Sequence, residues 1–230
     1  VWVCRGVVTN GRVSKPRWLE VADMQFTPDH AAHLDEILRW RRDVRHFRTD
    51  PVPAAALQKL RQAMNYAPSV GNARPWRVIR VLDAALRAAV MAEFLRCNHA
   101  AETEYDDETR AAYARLKLAG LAEAPEHLAV FTLTDPPEGR RLGRRTMPET
   151  LRQSTAMAIH TLWLVARAEN LGLGMVSILD PCRMGAIFEL PEGWEFSAYL
   201  CLGTPAFADD TPLLHRSGWQ ENRETWWEER

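Results

Sequence analysis

The sequence predicts an α+β fold in which helices cover a central sheet, and three observations support that expectation. Helical and extended patterns are interspersed, but no βα unit repeats as it would in a regular parallel array. The run Leu128-Ala129-Val130-Phe131-Thr132-Leu133-Thr134 is a continuous β-prone stretch. Hydrophobic residues make up 47% of the 230 positions, enough to build a real core in one sizeable domain.

The elements follow in chain order. Val1 to Asp23 does not begin with Met and mixes Gly, Arg, Lys and Pro with little periodicity. It is expected to be a disordered or non-native extension, with Met24 as the natural start and 24–230 as a single domain. From Pro28, the residues Ala31, Leu34, Ile37, Leu38 and Trp40 keep helical spacing, with Thr27 as the expected cap. Asp50-Pro51-Val52-Pro53 breaks the chain before a second amphipathic helix from Ala54 to Tyr66, stopped by Pro68. The turn-rich loop Ser69 to Pro75 leads into a strand from Trp76 to Leu82.

A helix is expected from Ala84 to Cys97 and another from Thr109 to Glu123. The polar, acidic stretch between them, Asn98 to Glu108, is the candidate for a mobile lid, and it could equally be plain surface. After the 128–134 strand comes a basic loop, Pro136 to Arg145. A long helix then runs to Asn170, with a broad apolar face formed by Ala156, Ile159, Leu162, Trp163, Val165 and Ala166. A glycine-containing strand at 171–178, a short helix from Pro181 to Leu190 and a last strand from Phe196 to Leu202 complete the pattern.

Composition narrows the function. Lys plus Arg number 29 against 30 Asp plus Glu, so no global field favours nucleic acid or an anionic membrane, and any anion site must be local. The cysteines at 4, 97, 182 and 201 lack the spacing of a zinc site or a disulfide framework, which fits reduced thiols in the cytoplasm. No apolar run reaches the roughly 18 residues of a membrane helix. The seven histidines form no ligand set, so no metal is expected. Gly172-Leu173-Gly174 lacks the third glycine of a dinucleotide fingerprint, and P-loop, zincin and nucleophile-elbow signatures are absent.

One local feature stands out. Arg41, Arg42, Arg45 and Arg48 surround a single carboxylate, Asp43. Guanidinium forks suit a phosphate, although cations also complement a helix C-terminus, and both readings stay open on these residues alone. Ser69, Gly71 and Asn72 form a loop whose small or amide-bearing residues let backbone approach a planar ligand and bond its polar edge. Gly172 and Gly174 offer the same later, followed by Ser177, which could equally be a buried hydroxyl satisfied by backbone.

Taken together, these stretches resemble the nitroreductase-like flavoproteins, and within them the flavin-destroying 5,6-dimethylbenzimidazole synthases. The resemblance rests on RRDVRHF at 41–47, APSVGNARPWR at 67–77, YARLKLAGLAEAP at 113–125, GRRTMPET at 143–150, LWLVARAENLGLGMVSILDP at 162–181 and LCLG at 200–203. Ordinary nitroreductases usually carry Ser where Asp43 stands. Arg74, where relatives usually have Gln, and Met175, where Trp is frequent, depart from the pattern.

The resemblance implies a nitroreductase-like sandwich with a mainly antiparallel sheet, forming a homodimer with FMN at the interface. It implies Arg41, Arg42, Val44, Arg45, Ser69, Gly71, Asn72 and Gly174 as FMN-binding residues, and Asp43 and Ser177 as catalytic ones. Reduced FMN would be the substrate and O2 the co-substrate, with a flavin reductase as a candidate supplier. The products would be the lower ligand of cobalamin and a four-carbon sugar phosphate. A carboxylate among guanidiniums is a weak base, so Asp43 is expected either to position ribityl hydroxyls or to act once its partners rearrange. The rival expectations are an FMN-dependent NAD(P)H nitroreductase and a non-catalytic flavin-binding protein.

Overall fold

A computed structural model of the chain describes residues 24–230, so the expected extension lies outside the described residues. Contacts group into two units divided between Asp35 and Glu36, a boundary that falls within the first helix, α1 (Pro28–Trp40). In the first unit the Thr27 carbonyl accepts the His30 N–H at 3.0 Å, while the Thr27 hydroxyl, the expected cap, pairs instead with the His30 ring, whose Nδ1 lies 2.7 Å from Thr27 Oγ1 and accepts the Thr27 N–H at 3.2 Å.

The second unit is built on four strands, β1 (Trp76–Arg80), β2 (Glu126–Leu133), β3 (Gly172–Val176) and β4 (Trp194–Gly203). They lie in the order β1-β2-β4-β3, and every neighbouring pair is antiparallel. The expected α+β architecture is therefore found. Successive side chains along a strand point to opposite faces, and here both faces are apolar. Leu128, Val130, Ala198, Leu200 and Leu202 pack with α2 (Ala54–Ala63) and α5 (Thr150–Ala168). Ala129, Phe131, Tyr199 and Cys201 join the second layer with α3 (Ala84–Thr103) and α6 (Pro181–Ile187). Fully burying each large side chain is worth about 1.5–3 kcal/mol, which makes the two central strands the anchor for everything at the edges.

Several helix ends differ from the sequence expectation by two or three residues, α2 ending at Ala63, α5 at Ala168 and α6 at Ile187, and two helices differ by more. α3 does not stop at Cys97 but continues to Thr103, so half of the polar stretch is helical surface. The helix expected at Thr109–Glu123 is the short α4 (Asp107–Tyr113), begun where Asp106 accepts the Thr109 N–H at 2.8 Å. Beyond it Leu118, Leu121 and Ala124 pack into the second core layer from an irregular segment. Gly120 allows this, because a Cβ there would lie 2.4 Å from the Phe47 ring. After α7 (Leu213–Arg216), residues 217–230 form no helix or strand.

Two buried polar groups cross-link neighbouring elements, α3 with α6 and β2 with β4. Glu93, 3% exposed, pairs with Arg96 at 2.6 Å and Arg183 at 2.9 Å, and the hydrogen bond from Arg96, aided by Cys97 and the Asp180 N–H, holds its carboxyl down to about 2 despite burial. His127 lies 2.9 Å from the Tyr199 hydroxyl and 3.1 Å from the Ala124 carbonyl; burial lowers it to about 4, so it is neutral.

Candidate active site

The RRDVRHF stretch is extended backbone stitched to the ends of two strands. The Val44 N–H donates to Leu173 O at 3.1 Å, and Asp43 bridges Leu173 in parallel. Farther on, the Arg48 N–H donates to Thr204 O at 2.9 Å and Ala206 N–H to His46 O at 2.9 Å. Gly172 and Gly174 make the approach feasible. A Cβ on Gly174 would lie 2.1 Å from Val44 O, and one on Gly172 would lie 2.8 Å from a Val44 methyl. Both missing side chains are thus occupied by Val44 within this chain.

Asp43 is consequently fixed at both oxygens. Oδ1 accepts the Met175 N–H at 2.9 Å, and Oδ2 accepts Arg45 Nε–H at 2.9 Å. Arg45, whose side chain is 13% exposed, also donates through Nη1 to Lys117 O at 3.1 Å. Arg41 lies over the Trp163 ring, 4.9 Å from its centroid, and the Trp163 indole N–H donates to Arg42 O at 3.1 Å. Arg42 donates to the Arg39 carbonyl, while its Nε is buried with no partner among the described residues. Burial and the neighbouring Arg41 both pull the Arg42 guanidinium below its ordinary value.

An orphaned guanidinium N–H beside a second arginine is what an anion would satisfy, and the cleft carries four arginines, Arg41, Arg42, Arg45 and Arg167, against two acids, Asp43 and Asp209, a cationic surplus that could hold a phosphate. Trp163 also borders a groove of about 570 Å³ that contains Met175, His160 and Ser197. Ser177 lies one residue beyond β3 and is exposed, so the buried-hydroxyl alternative fails. Its spacing of two from the exposed Met175 puts both on one side of the extended chain.

The loop bearing Ser69, Gly71 and Asn72 is elsewhere. It enters β1 at Trp76, on the opposite sheet edge from β3, and the Met175 row meets β1 at Arg80, the other end. Three strand spacings and four residues of rise put Trp76 about 20 Å from Met175, whose N–H holds Asp43. The loop is held by its own contacts: Ser69 Oγ accepts the Arg74 N–H at 3.0 Å, Val70 N–H donates to Ser154 Oγ at 3.0 Å, and Gly71 abuts Gly139. Gly71, Asn72 and Arg74 all have positive φ. The residues expected to bind FMN thus form two clusters within one chain: Arg41, Arg42, Val44, Arg45 and Gly174 near Asp43, and the Ser69–Asn72 loop apart.

The profile of the Nitroreductase family matches residues 38–204. The chain belongs to the nitroreductase family. Among curated relatives, a 5,6-dimethylbenzimidazole synthase of Rhodobacter capsulatus is 60% identical over 90% of this chain and all of the relative. One from Rhodospirillum rubrum is 50% identical over 86% of this chain and 94% of the relative. Among solved structures, iodotyrosine deiodinase bound to FMN and 3-iodo-L-tyrosine superposes with a TM-score of 0.66 at 21% identity, covering 86% of this chain and 97% of that one.

Within this nitroreductase-family site, sequence reasoning missed Trp163 as the support under Arg41 and Arg42, Arg167 as a further cleft cation, and Lys117 as the partner of Arg45. Trp163 was recognised only as part of an apolar helix face, and Lys117 contributes a backbone carbonyl, which leaves no mark on sequence. Among the described residues no group of acidic, histidine or cysteine side chains could hold a metal, and no helix is long and apolar enough to cross a membrane.

Proposed function

We propose that this nitroreductase-family protein is an O2-dependent oxidoreductase that fragments reduced FMN to 5,6-dimethylbenzimidazole, releasing erythrose 4-phosphate. The observation that carries the proposal is the Asp43 carboxylate, fixed by the Met175 N–H beside an arginine cleft with an unsatisfied N–H. The 50–60% identity to dimethylbenzimidazole synthases over most of the chain selects this chemistry over intact-flavin reductase chemistry.

Reduced FMN supplies the electrons for O2 and the carbon atoms of the product. Arg41, Arg42 and Arg167 hold its phosphate, with Arg42 Nε the donor that lacks a partner otherwise. Asp43, with Oδ1 committed to backbone, presents its carboxylate to the ribityl hydroxyls, either orienting them or accepting a proton from one. Ser177 offers a hydroxyl to the ring edge from the exposed side of the β3 end. The 98–123 segment, through the contact of Lys117 with Arg45, is suited to exclude water from that side.

A homodimer accounts for the two separated clusters. The Ser69–Asn72 loop of one copy would complete the site of the other, since about 20 Å within one chain is too far for both to grip one ring. The domain is taken as 24–230 and the location as cytoplasmic, with the thiols of Cys97, Cys182 and Cys201 unpaired. FMN reduction is assigned to a separate flavin reductase.

Incubating the protein with chemically reduced FMN and air tests the proposal. Irreversible loss of flavin absorbance with formation of dimethylbenzimidazole is expected. Quantitative return of oxidised FMN, with turnover only when NAD(P)H and a nitroaromatic are supplied, would make the protein a nitroreductase instead.

A further inference from the structure

The family resemblance implies Arg45 as an FMN-binding residue, but its hydrogen bonds point inward. Nε is committed to Asp43 Oδ2 at 2.9 Å and Nη1 to Lys117 O at 3.1 Å. The Lys117 segment is itself pinned: the Lys117 ammonium pairs with Glu123, and Gly120 sits directly against the Phe47 ring and Arg45 O. On the other side, Asp43 Oδ1 is tied to the Met175 N–H. One continuous chain of bonds therefore runs from the 114–123 segment through a nearly buried guanidinium to the carboxylate and on to β3.

We propose that Arg45 is a positioning residue for Asp43, coupling the orientation of that carboxylate to the placement of the 114–123 segment. This rests on the assignment of Asp43 as the catalytic carboxylate. The planar fork makes the coupling feasible, because two N–H groups on one rigid plane hold the carboxylate and the carbonyl at once. When the segment is seated, the Asp43 plane is fixed on both oxygens; when it lifts, Arg45 loses the Lys117 carbonyl, its fork can swing together with Asp43 Oδ2, and the Met175 N–H is the one fixed anchor left to the carboxylate. Active-site closure and acid alignment become one event, so flavin would not react in an open site.

The first test uses flavin-free protein and amide hydrogen exchange. Arg45→Met is expected to speed exchange at Met175 and across 114–121 by about tenfold or more, the scale of one lost charge-assisted bond. Unchanged exchange at Met175 overturns the proposal whether or not the protein destroys flavin.

The second test uses steady-state turnover of reduced FMN in air. Arg45→Met is expected to lower kcat on the order of 10- to 100-fold with KM within about threefold, and Arg45→Lys to recover part of the loss. A raised KM at unchanged kcat would make Arg45 an ordinary flavin ligand. Gly120→Ala leaves the Arg45 and Asp43 side chains unaltered, but its methyl would lie 2.4 Å from the Phe47 ring and 3.2 Å from Arg45 O, pushing the segment away, and it should reproduce the kcat loss. A folded Gly120→Ala protein with wild-type kcat would refute the coupling. Wild-type protein that merely reoxidises FMN refutes the destructase function instead, leaving the exchange result to decide the role of Arg45.

Discussion

Gly174→Ala places one methyl group where the structure has no room. The added Cβ would lie 2.1 Å from Val44 O and 3.2 Å from its carbonyl carbon, against an ordinary contact of 3.4 Å, so the 43–45 segment must move off β3 by about 1.3 Å. That shift takes the Val44–Leu173 bond, now 3.1 Å, and the Asp43–Met175 bond, now 2.9 Å, beyond hydrogen-bonding length. One neutral bond and one bond to a charged group are worth about 3 kcal/mol together. For a chain of this size the melting temperature should fall by roughly 6–12 °C. Misplacing Asp43 by about 1 Å should also cost on the order of 100-fold in turnover. Differential scanning fluorimetry and the reduced-FMN assay read the two effects separately. A melting temperature within about 2 °C of wild type, with turnover intact, would falsify the tight packing of Val44 on β3 and the catalytic placement derived from it.

Asp43→Asn and Ser177→Gly are each expected to abolish dimethylbenzimidazole formation while changing stability by less than about 1.5 kcal/mol, checked by product chromatography and urea unfolding. Mixing inactive Asp43→Asn protein with inactive protein carrying Gly71→Val should restore activity as mixed dimers form; no recovery after subunit exchange would count against a site shared between copies. His127 is held near 4 when folded and returns to about 6.5 when unfolded. The folded state thus binds fewer protons, and about 3 kcal/mol of stability present above pH 6.5 is lost as pH falls toward 4. Urea midpoints from pH 7 to 4.5 should show this loss in wild type and a shallower one in His127→Gln. Glu93→Gln leaves Arg96 and Arg183 without their shared carboxylate at a 3% exposed position and should cost about 3 kcal/mol, visible as an earlier thermal transition.

Much of this fold can be read along the chain because its core strands are locally consistent. The apolar run at 128–134 and the long apolar face after Thr150 correspond to β2 and α5, the two elements that anchor the core. The 109–123 helix was misjudged for a physical reason. Leu118, Leu121 and Ala124 have near-helical spacing but reach the core from irregular backbone that Gly120 lets pass beneath Phe47. At the site, residue types were legible and partners were not. RRDVR shows an acid among bases, but nothing local tells that Val44 fills the space over Gly172 and Gly174, or that the acid bonds Met175 N–H 132 positions away. Nor could linear order reveal that the Ser69–Asn72 loop lies on the far edge of the sheet; that depends on the strand order β1-β2-β4-β3.

The placement of residues 43–44 along β3 also bears on solubility. β3 is an edge strand of alternating glycine and apolar residues, and an uncovered edge of that composition invites pairing with another chain. The opposite edge, β1, carries Arg77 and Arg80, charges that discourage such pairing. β3 has no charged side chain of its own, so the Asp43–Val44 stub covers its backbone in their place. Substitutions that release the stub should therefore show themselves first as turbidity on warming or concentration, and aggregation in such variants reports an unprotected edge more than a weakened core.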